Sequence, residues 1–248
     1  MLDKRDFSLK VCKILRKGEF MNKKDYKYIF KIIGLSLVLC GSFYMIEQFT
    51  NTPYLITTIS KIMLFGVLVS IIYFVDTKKS IVDLILPKGN KGNVKFGIIL
   101  GLAVLIIVYI GYFIFKGMID LDSIMKEITE TSKVTKVTYP LVALYITFGN
   151  SFLEEIFFRG FIFLRLYSKG YKKIAYIFSA GLFAVYHVAI FKTWFDPIII
   201  LVALIGLFAG GIIFNYINTK TKSIINSWLV HIFADIAIVS IGVRMFYF

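Results

Sequence analysis

Cysteine occurs only twice in the 248 residues, as Cys12 in a basic leader and Cys40 inside the first long apolar stretch. Two cysteines so placed give no support to a disulfide framework, and they leave the redox compartment undetermined. Histidine is equally scarce, with His187 and His231 alone. Charged residues make up 18% of the chain against 58% hydrophobic, where an ordinary soluble domain carries roughly 45–50% apolar residues. That imbalance excludes a water-soluble globule. Acidic side chains are the rarer sign, 15 against 29 Lys and Arg, for a net charge of +14. In a soluble protein such an excess would raise the question of nucleic acid. Here the basic residues cluster at the ends of apolar spans, where they set membrane orientation, so no nucleic-acid partner is expected. Internal repeats and low-complexity linkers are also missing. Residues 1–28 lack the apolar core of a cleaved secretory signal, so the first span is expected to remain as an uncleaved anchor. Phe7, Val11, Ile14 and Leu15 fall at helical spacing among lysines. That pattern fits a helix lying on the membrane surface or a disordered basic tail.

What the chain does have is a series of long apolar runs. Seven approach or reach the ~17–25 residues that cross a bilayer, at about 29–46, 55–75, 96–115, 140–164, 174–191, 197–216 and 224–243. The expected fold is therefore all-α, a polytopic transmembrane helix bundle of about seven spans set in the lipid bilayer. Three parts are expected: a basic N-terminal segment (1–28), N-terminal spans and loops (29–138), and a polar-bearing bundle (139–248). Segments 76–95 and 116–138 read as loops, the second mixed in charge and partly helical. With the N-terminus inside, 21 of the 29 Lys and Arg fall in inside segments and six outside, while Lys61 and Arg159 sit within spans. This bias fits the positive-inside rule, so a multi-pass protein of the cell membrane with a cytoplasmic N-terminus is expected.

Ionisable groups inside a span are expensive to bury and mark a functional site by default. They are concentrated in the last four spans: Asn150, Ser151, Glu154, Glu155 and Arg159 in the fourth, His187 in the fifth, His231 and Asp235 in the seventh. With a rise of about 1.5 Å per residue, Glu154 lies ~15 Å from the inner end of its span, His231 ~10 Å, Asp235 ~16 Å and His187 ~20 Å. Four groups on three helices thus meet at similar depth, between the cytoplasmic side and the midplane. Spacing of four residues puts Glu155 with Arg159, Asn150 with Glu154, Phe183 with His187, and His231 with Asp235 on common helix faces. Glu154 is left without an arginine of its own, which suits a desolvated carboxylate to accept a proton near neutrality. Glu155 with Arg159 reads as a structural ion pair. Asn215 reads as an end-of-helix group, Asp196 as a cap, and Lys61 as a side chain that snorkels to the headgroups. The aromatic residues, 17% of the chain, read mainly as lipid contacts and interface belts.

Three motifs organise these residues: Glu154-Glu155-Ile-Phe-Phe-Arg159, Phe183-Ala-Val-Tyr-His187 and His231-Ile-Phe-Ala-Asp235. Together, in this order and using every histidine, they resemble the CPBP family of intramembrane proteases, also called the ABI or CAAX protease-like family. The resemblance covers Asn150 to Asp235, about a third of the chain. It implies a helical membrane peptidase in which Glu154 is the general base and His187 its partner in activating water. His231 and Asp235 would form the oxyanion side, with Glu155 and Arg159 holding the geometry. Better-studied eukaryotic relatives carry asparagine where this chain has Asp235. An ionised aspartate donates no hydrogen bond, so the oxyanion role would rest mainly on His231, protonated with help from Asp235.

The reading that follows is an endopeptidase acting on a membrane-associated peptide or protein. Family relatives cleave prenylated proteins in eukaryotes and are linked to peptide maturation and bacteriocin self-immunity in bacteria. The abundance of Lys, Ile and Phe suggests an AT-rich bacterial genome and hence a bacterial peptide substrate. A non-catalytic immunity or scaffold protein of the same fold is the alternative. A proton-coupled transporter is a third class, but it would call for discontinuous spans in corresponding halves. Two histidines and carboxylates could also form a zinc site, with Glu154, His187 and His231 as ligands. No His-Glu-x-x-His occurs, and the histidines lie 44 positions apart, which weakens the metal signal. No cofactor is expected, with zinc as the alternative.

Overall fold

The computed structural model describes residues 23–49, 53–85, 94–191 and 195–248. The basic leader and its helical pattern through Leu15, and part of the loop before Lys95, lie outside the described residues. The described chain forms helices α1 (Lys23–Phe49), α2 (Tyr54–Thr77), α3 (Val82–Ile85), α4 (Val94–Phe115), α5 (Leu121–Glu130), α6 (Tyr139–Ser168), α7 (Lys172–Phe191), α8 (Pro197–Thr221) and α9 (Ile225–Tyr247). Among the described residues there are no strands, only an isolated pairing of Ile119 with Phe195. The all-α expectation holds, and α5 supplies the expected helix in the fourth-span approach. The first part of α1, residues 23–35, belongs to one compact unit. The second unit, 36–248, holds the rest of α1, all of α2 to α9, and every ionisable residue singled out above.

Six described helices are long and apolar enough to cross a membrane: α1, α2, α4, α6, α8 and α9. The expected fifth span is present as α7, 20 residues long, although it is not one of those six. Its direction follows from its contacts. The Ser179 hydroxyl on α7 donates to the Phe158 carbonyl on α6 at 2.9 Å, while the later His187 reaches back to the earlier Glu154. α7 therefore runs antiparallel to α6. It is also antiparallel to α8, because Ala180 lies beside Gly211 and the earlier Tyr176 carbonyl accepts from Asn215.

The remaining pairings follow the same logic. The Tyr139 hydroxyl donates to the Val239 carbonyl at 2.6 Å and Trp228 donates to Ser151 at 3.1 Å, so α9 is antiparallel to α6. α4 runs parallel to α9: Gly97 faces Asn226 and Gly101 faces Phe233 so closely that neither glycine has room for a side chain. Small residues at such crossings let membrane helices approach and gain packing where lipid offers no hydrophobic drive. α2 runs parallel to α6, joined by Lys61 to Glu154 near one end and by Asp76 to Arg165, at 2.7 Å, near the other.

α6 is the central helix. Every residue from Glu155 to Phe163 is buried, as expected of a helix surrounded by protein. It contains two wide-turn π-helical stretches, Tyr145–Asn150 and Glu155–Leu164, a geometry that recurs at functional sites. Its phenylalanines are a local exception to the expectation that the aromatic residues are mainly lipid contacts and interface belts. Phe65 of α2 stacks on Phe157 with ring centroids 4.2 Å apart, and Phe43, Phe65, Phe157, Phe158, Phe161 and Phe163 are all sealed inside. Flat rings fill the gaps between helices that a polar α6 cannot close with aliphatic ridges alone. Asn215 is likewise not an end-of-helix group. It is fully buried and its side-chain oxygen accepts from Ser179 at 3.3 Å, because α8 extends to Thr221, beyond the expected end of the span. Asp196 does occupy the position before α8, but its side chain makes no capping bond, and the helix starts on Pro197.

Candidate active site

Glu154 sits midway along α6 with 1% of its surface exposed. Its two oxygens have different surroundings. Oε1 accepts from the Lys61 ammonium at 2.8 Å and from the Asn150 amide at 3.0 Å. Oε2 faces His187 Nε2 at 3.3 Å and His231 Nε2 at 3.7 Å and has no hydrogen-bond partner among the described residues. Three helices thus converge on one oxygen: α6 brings the carboxylate, α7 one imidazole and α9 the other.

The far side of each imidazole is held. His187 Nδ1 lies 2.9 Å from the Phe183 carbonyl, an oxygen that can only accept, so Nδ1 carries a hydrogen. In the neutral ring, Nε2 then presents a lone pair toward Glu154. His231 Nδ1 lies 3.0 Å from Glu155 Oε1, which assigns the same tautomer by the same argument. The carboxylate that orients His231 is therefore Glu155, whereas Asp235 Oδ1 stands 3.9 Å from its other nitrogen.

Glu155 also pairs with Arg159, Nη1 to Oε1 at 2.9 Å, with both side chains fully buried. The guanidinium carbon lies 3.9 Å from the centroid of the Phe183 ring and 4.7 Å from that of Phe214, contacts of cation–π type. Phe183 thus serves twice. Its carbonyl fixes His187 and its ring covers Arg159.

The structure brings together Asn150, Glu154, Glu155, Arg159, Phe183, His187 and His231, with Asp235 at the margin. It adds Lys61, which the sequence reading sent to the headgroups. Lys61 is only 5% exposed, its ammonium 5.1 Å from the ring centroids of both Phe43 and Tyr186, and it also donates to the Asn150 side-chain oxygen. The buried carboxylate and these rings reward an inward lysine more than the interface does. No motif links α2 to α6. The available signal was a lone basic residue within an otherwise uncharged span, beside an unpartnered intramembrane glutamate.

Glu154, His187 and His231 each offer a ligand atom, all within 4.8 Å of one another. Three such donors, with the outer nitrogens of both imidazoles held by oxygen, are a set that could hold a zinc ion.

Fold and site together define a polytopic helical membrane protein with a carboxylate and two imidazoles at its centre. Residues 136–237, less than half of the chain, match the family model of type II CAAX prenyl endopeptidase Rce1-like proteins, consistent with the CAAX protease-like family that the three motifs resemble. The match includes every site residue except Lys61. No curated protein and no solved structure matches the chain.

Proposed function

We propose that the protein is an intramembrane endopeptidase that hydrolyses a peptide bond of a membrane-associated peptide or protein with water activated by Glu154 and His187. The observation that carries this reading is the convergence of Glu154 Oε2 with the two Nε2 nitrogens, at 3.3 and 3.7 Å. A water held there donates its hydrogens to Glu154 Oε2 and His187 Nε2 and turns a lone pair outward, the orientation a nucleophile needs. As its oxygen bonds to the scissile carbonyl carbon, one proton passes to Glu154 Oε2. Collapse of the tetrahedral intermediate breaks the carbon–nitrogen bond, and that proton leaves through His187 to the departing amine. His231, backed by Glu155, enters the reaction as the imidazolium, its second proton taken from bulk water before the substrate binds; it donates from Nε2 to the developing oxyanion and keeps that proton when the carbonyl re-forms.

Zinc bound by Glu154, His187 and His231 would supply Lewis acidity. The steps above do not use it. The Lys61 ammonium beside Glu154 favours the metal-free reading, since it already compensates the one anionic ligand such a site would offer. The family match supports a CAAX-type substrate, a peptide bond close to a membrane anchor, and the excess of Lys and Arg in alternate loops supports a cytoplasmic N-terminus.

The test compares peptide termini, by mass spectrometry, in membranes containing wild-type protein, Glu154→Ala or His187→Ala. Both variants should insert at normal levels and lose the same new termini. Activity should survive dialysis of the purified protein against a strong chelator. Full biological function in Glu154→Ala would point instead to a scaffold or immunity protein, and chelator loss restored only by zinc would point to the metal.

A further inference from the structure

We infer that Lys61 is a positioning residue of this site, whose ammonium, together with the Asn150 amide, immobilises one oxygen of Glu154 so that the other is the one presented to the histidines. The inference rests on the reading of Glu154 as the base. Its geometry is independent of the three motifs, because Lys61 comes from α2, outside the matched segment 136–237.

A glutamate side chain has three rotatable bonds, and an unrestrained carboxylate turns freely about the last. Here its plane is held. Oε1 has two donors, at 2.8 and 3.0 Å, while Oε2 has no hydrogen-bond partner among the described residues. A half-turn only exchanges two equivalent oxygens and restores the same arrangement, whereas any smaller rotation breaks both bonds to Oε1 and swings Oε2 away from the two Nε2 atoms. Lys61 is itself held. It donates to the Asn150 oxygen, and the Phe43 and Tyr186 rings flank its ammonium at 5.1 Å. Asn150 completes the clamp by offering its oxygen to Lys61 and its nitrogen to Glu154, so lysine, amide and carboxylate close a ring of three hydrogen bonds. The clamp also compensates the charge of a buried carboxylate without occupying the oxygen that reacts, something an arginine across one helical turn of α6 could not do as selectively.

A reacting group misplaced by 1 Å can lose ~10²-fold in rate, so the clamp predicts a defect in turnover and not only in stability. The experiment profiles new peptide termini in membranes containing wild type, Glu154→Ala, Lys61→Met and Lys61→Arg at matched abundance. It also follows the thermal unfolding in detergent of Lys61→Met, Glu154→Gln and their double variant. The termini that depend on Glu154 should fall at least tenfold in Lys61→Met and stay within about threefold of wild type in Lys61→Arg, because a restored cation re-anchors Oε1. Lys61→Met should unfold several degrees below wild type, and adding Glu154→Gln should recover most of that loss, since the stranded carboxylate is gone. Wild-type levels of termini in Lys61→Met, or equal losses in Lys61→Met and Lys61→Arg, overturn the inference. If the termini do not depend on Glu154, the functional reading itself fails. The unfolding cycle still decides the pairing, and strictly additive shifts overturn it.

Discussion

Arg159 offers the sharpest test of how the site is held together. Arg159→Met keeps the length and apolar stem of the side chain but removes the guanidinium that faces Glu155 at 2.9 Å. Glu155 then remains a fully buried carboxylate whose surviving partner is His231 Nδ1 at 3.0 Å. Breaking one side of a buried ion pair costs about 3–5 kcal/mol, because the other charge is left uncompensated. The contacts of the guanidinium with Phe183 and Phe214 add to the loss, whereas methionine recovers part of it by packing on the same rings. At ~2–4 °C per kcal/mol for a chain of this size, the unfolding temperature should fall by ~6–20 °C. Adding Glu155→Gln should restore at least half of the drop, because the neutral amide oxygen still accepts from His231 while the stranded charge disappears. The assay is thermal unfolding of the purified protein in detergent, read by loss of helical circular dichroism. An Arg159→Met protein that unfolds within about 1 °C of wild type, far inside the ~6–20 °C expected, would refute the reasoning. So would a double variant no more stable than the single one.

Further consequences can be checked separately. A Cβ on Gly211 would meet the Ala180 backbone at 3.0 Å, so Gly211→Leu should force α8 away from α7, lower stability by about 1–3 kcal/mol and reduce cleavage by displacing His187, two turns along from Ala180; unfolding and terminus profiling read the two effects. Asp120 caps α5 by accepting from the Ser123 amide and hydroxyl at 3.0 and 2.6 Å, and chiefly the side-chain bond from Ser123 holds its carboxyl below the usual value. The cap's stabilisation should therefore be complete above the ordinary aspartate range and disappear as pH falls through the lowered value. Protection of the Ser123 amide, its exchange relative to the unstructured rate at the same pH, should be lost only in that acid window, while in Asp120→Ala it should be low at every pH. Single cysteines placed at 118–138 and at 168–173 should react with impermeant reagents from opposite faces of the membrane, the first group from outside; the reverse result would sink the proposed orientation.

The parts of this molecule legible in its sequence are those with a period. Apolar runs announce the crossing helices, and four-residue spacings announce Asn150 with Glu154, Glu155 with Arg159 and Phe183 with His187, because a helix puts such pairs on one face whatever surrounds it. Depth counting brought His187 and His231 to the level of Glu154, since a helix converts residue number into height. Rotation about each helix axis and the choice of neighbours are what the sequence hides. Lys61 and Glu154 are 93 positions apart, and nothing local distinguishes a lysine turned inward to a carboxylate from one turned outward to phosphate. The same blindness misplaced Asn215 and hid the inward turn of Phe157, Phe158, Phe161 and Phe163 on α6. Asp235 shows the converse limit: it shares a face with His231 as its spacing requires, yet at 3.9 Å it is the more distant carboxylate, because Glu155 approaches from another helix.

The two ion pairs that join α2 to α6 also constrain how the bundle can move. Lys61 grips Glu154 and Asp76 grips Arg165, two rungs set well apart on helices that run the same way. Sliding either helix by one turn, ~5.4 Å, would tear both rungs at once, and swinging α2 outward would expose the Lys61–Glu154 pair to hydrocarbon. The pair therefore behaves as a single rigid rail. A peptide reaching Glu154 sideways from the lipid has to part some other seam, and the helices that can yield are those not fastened to this rail.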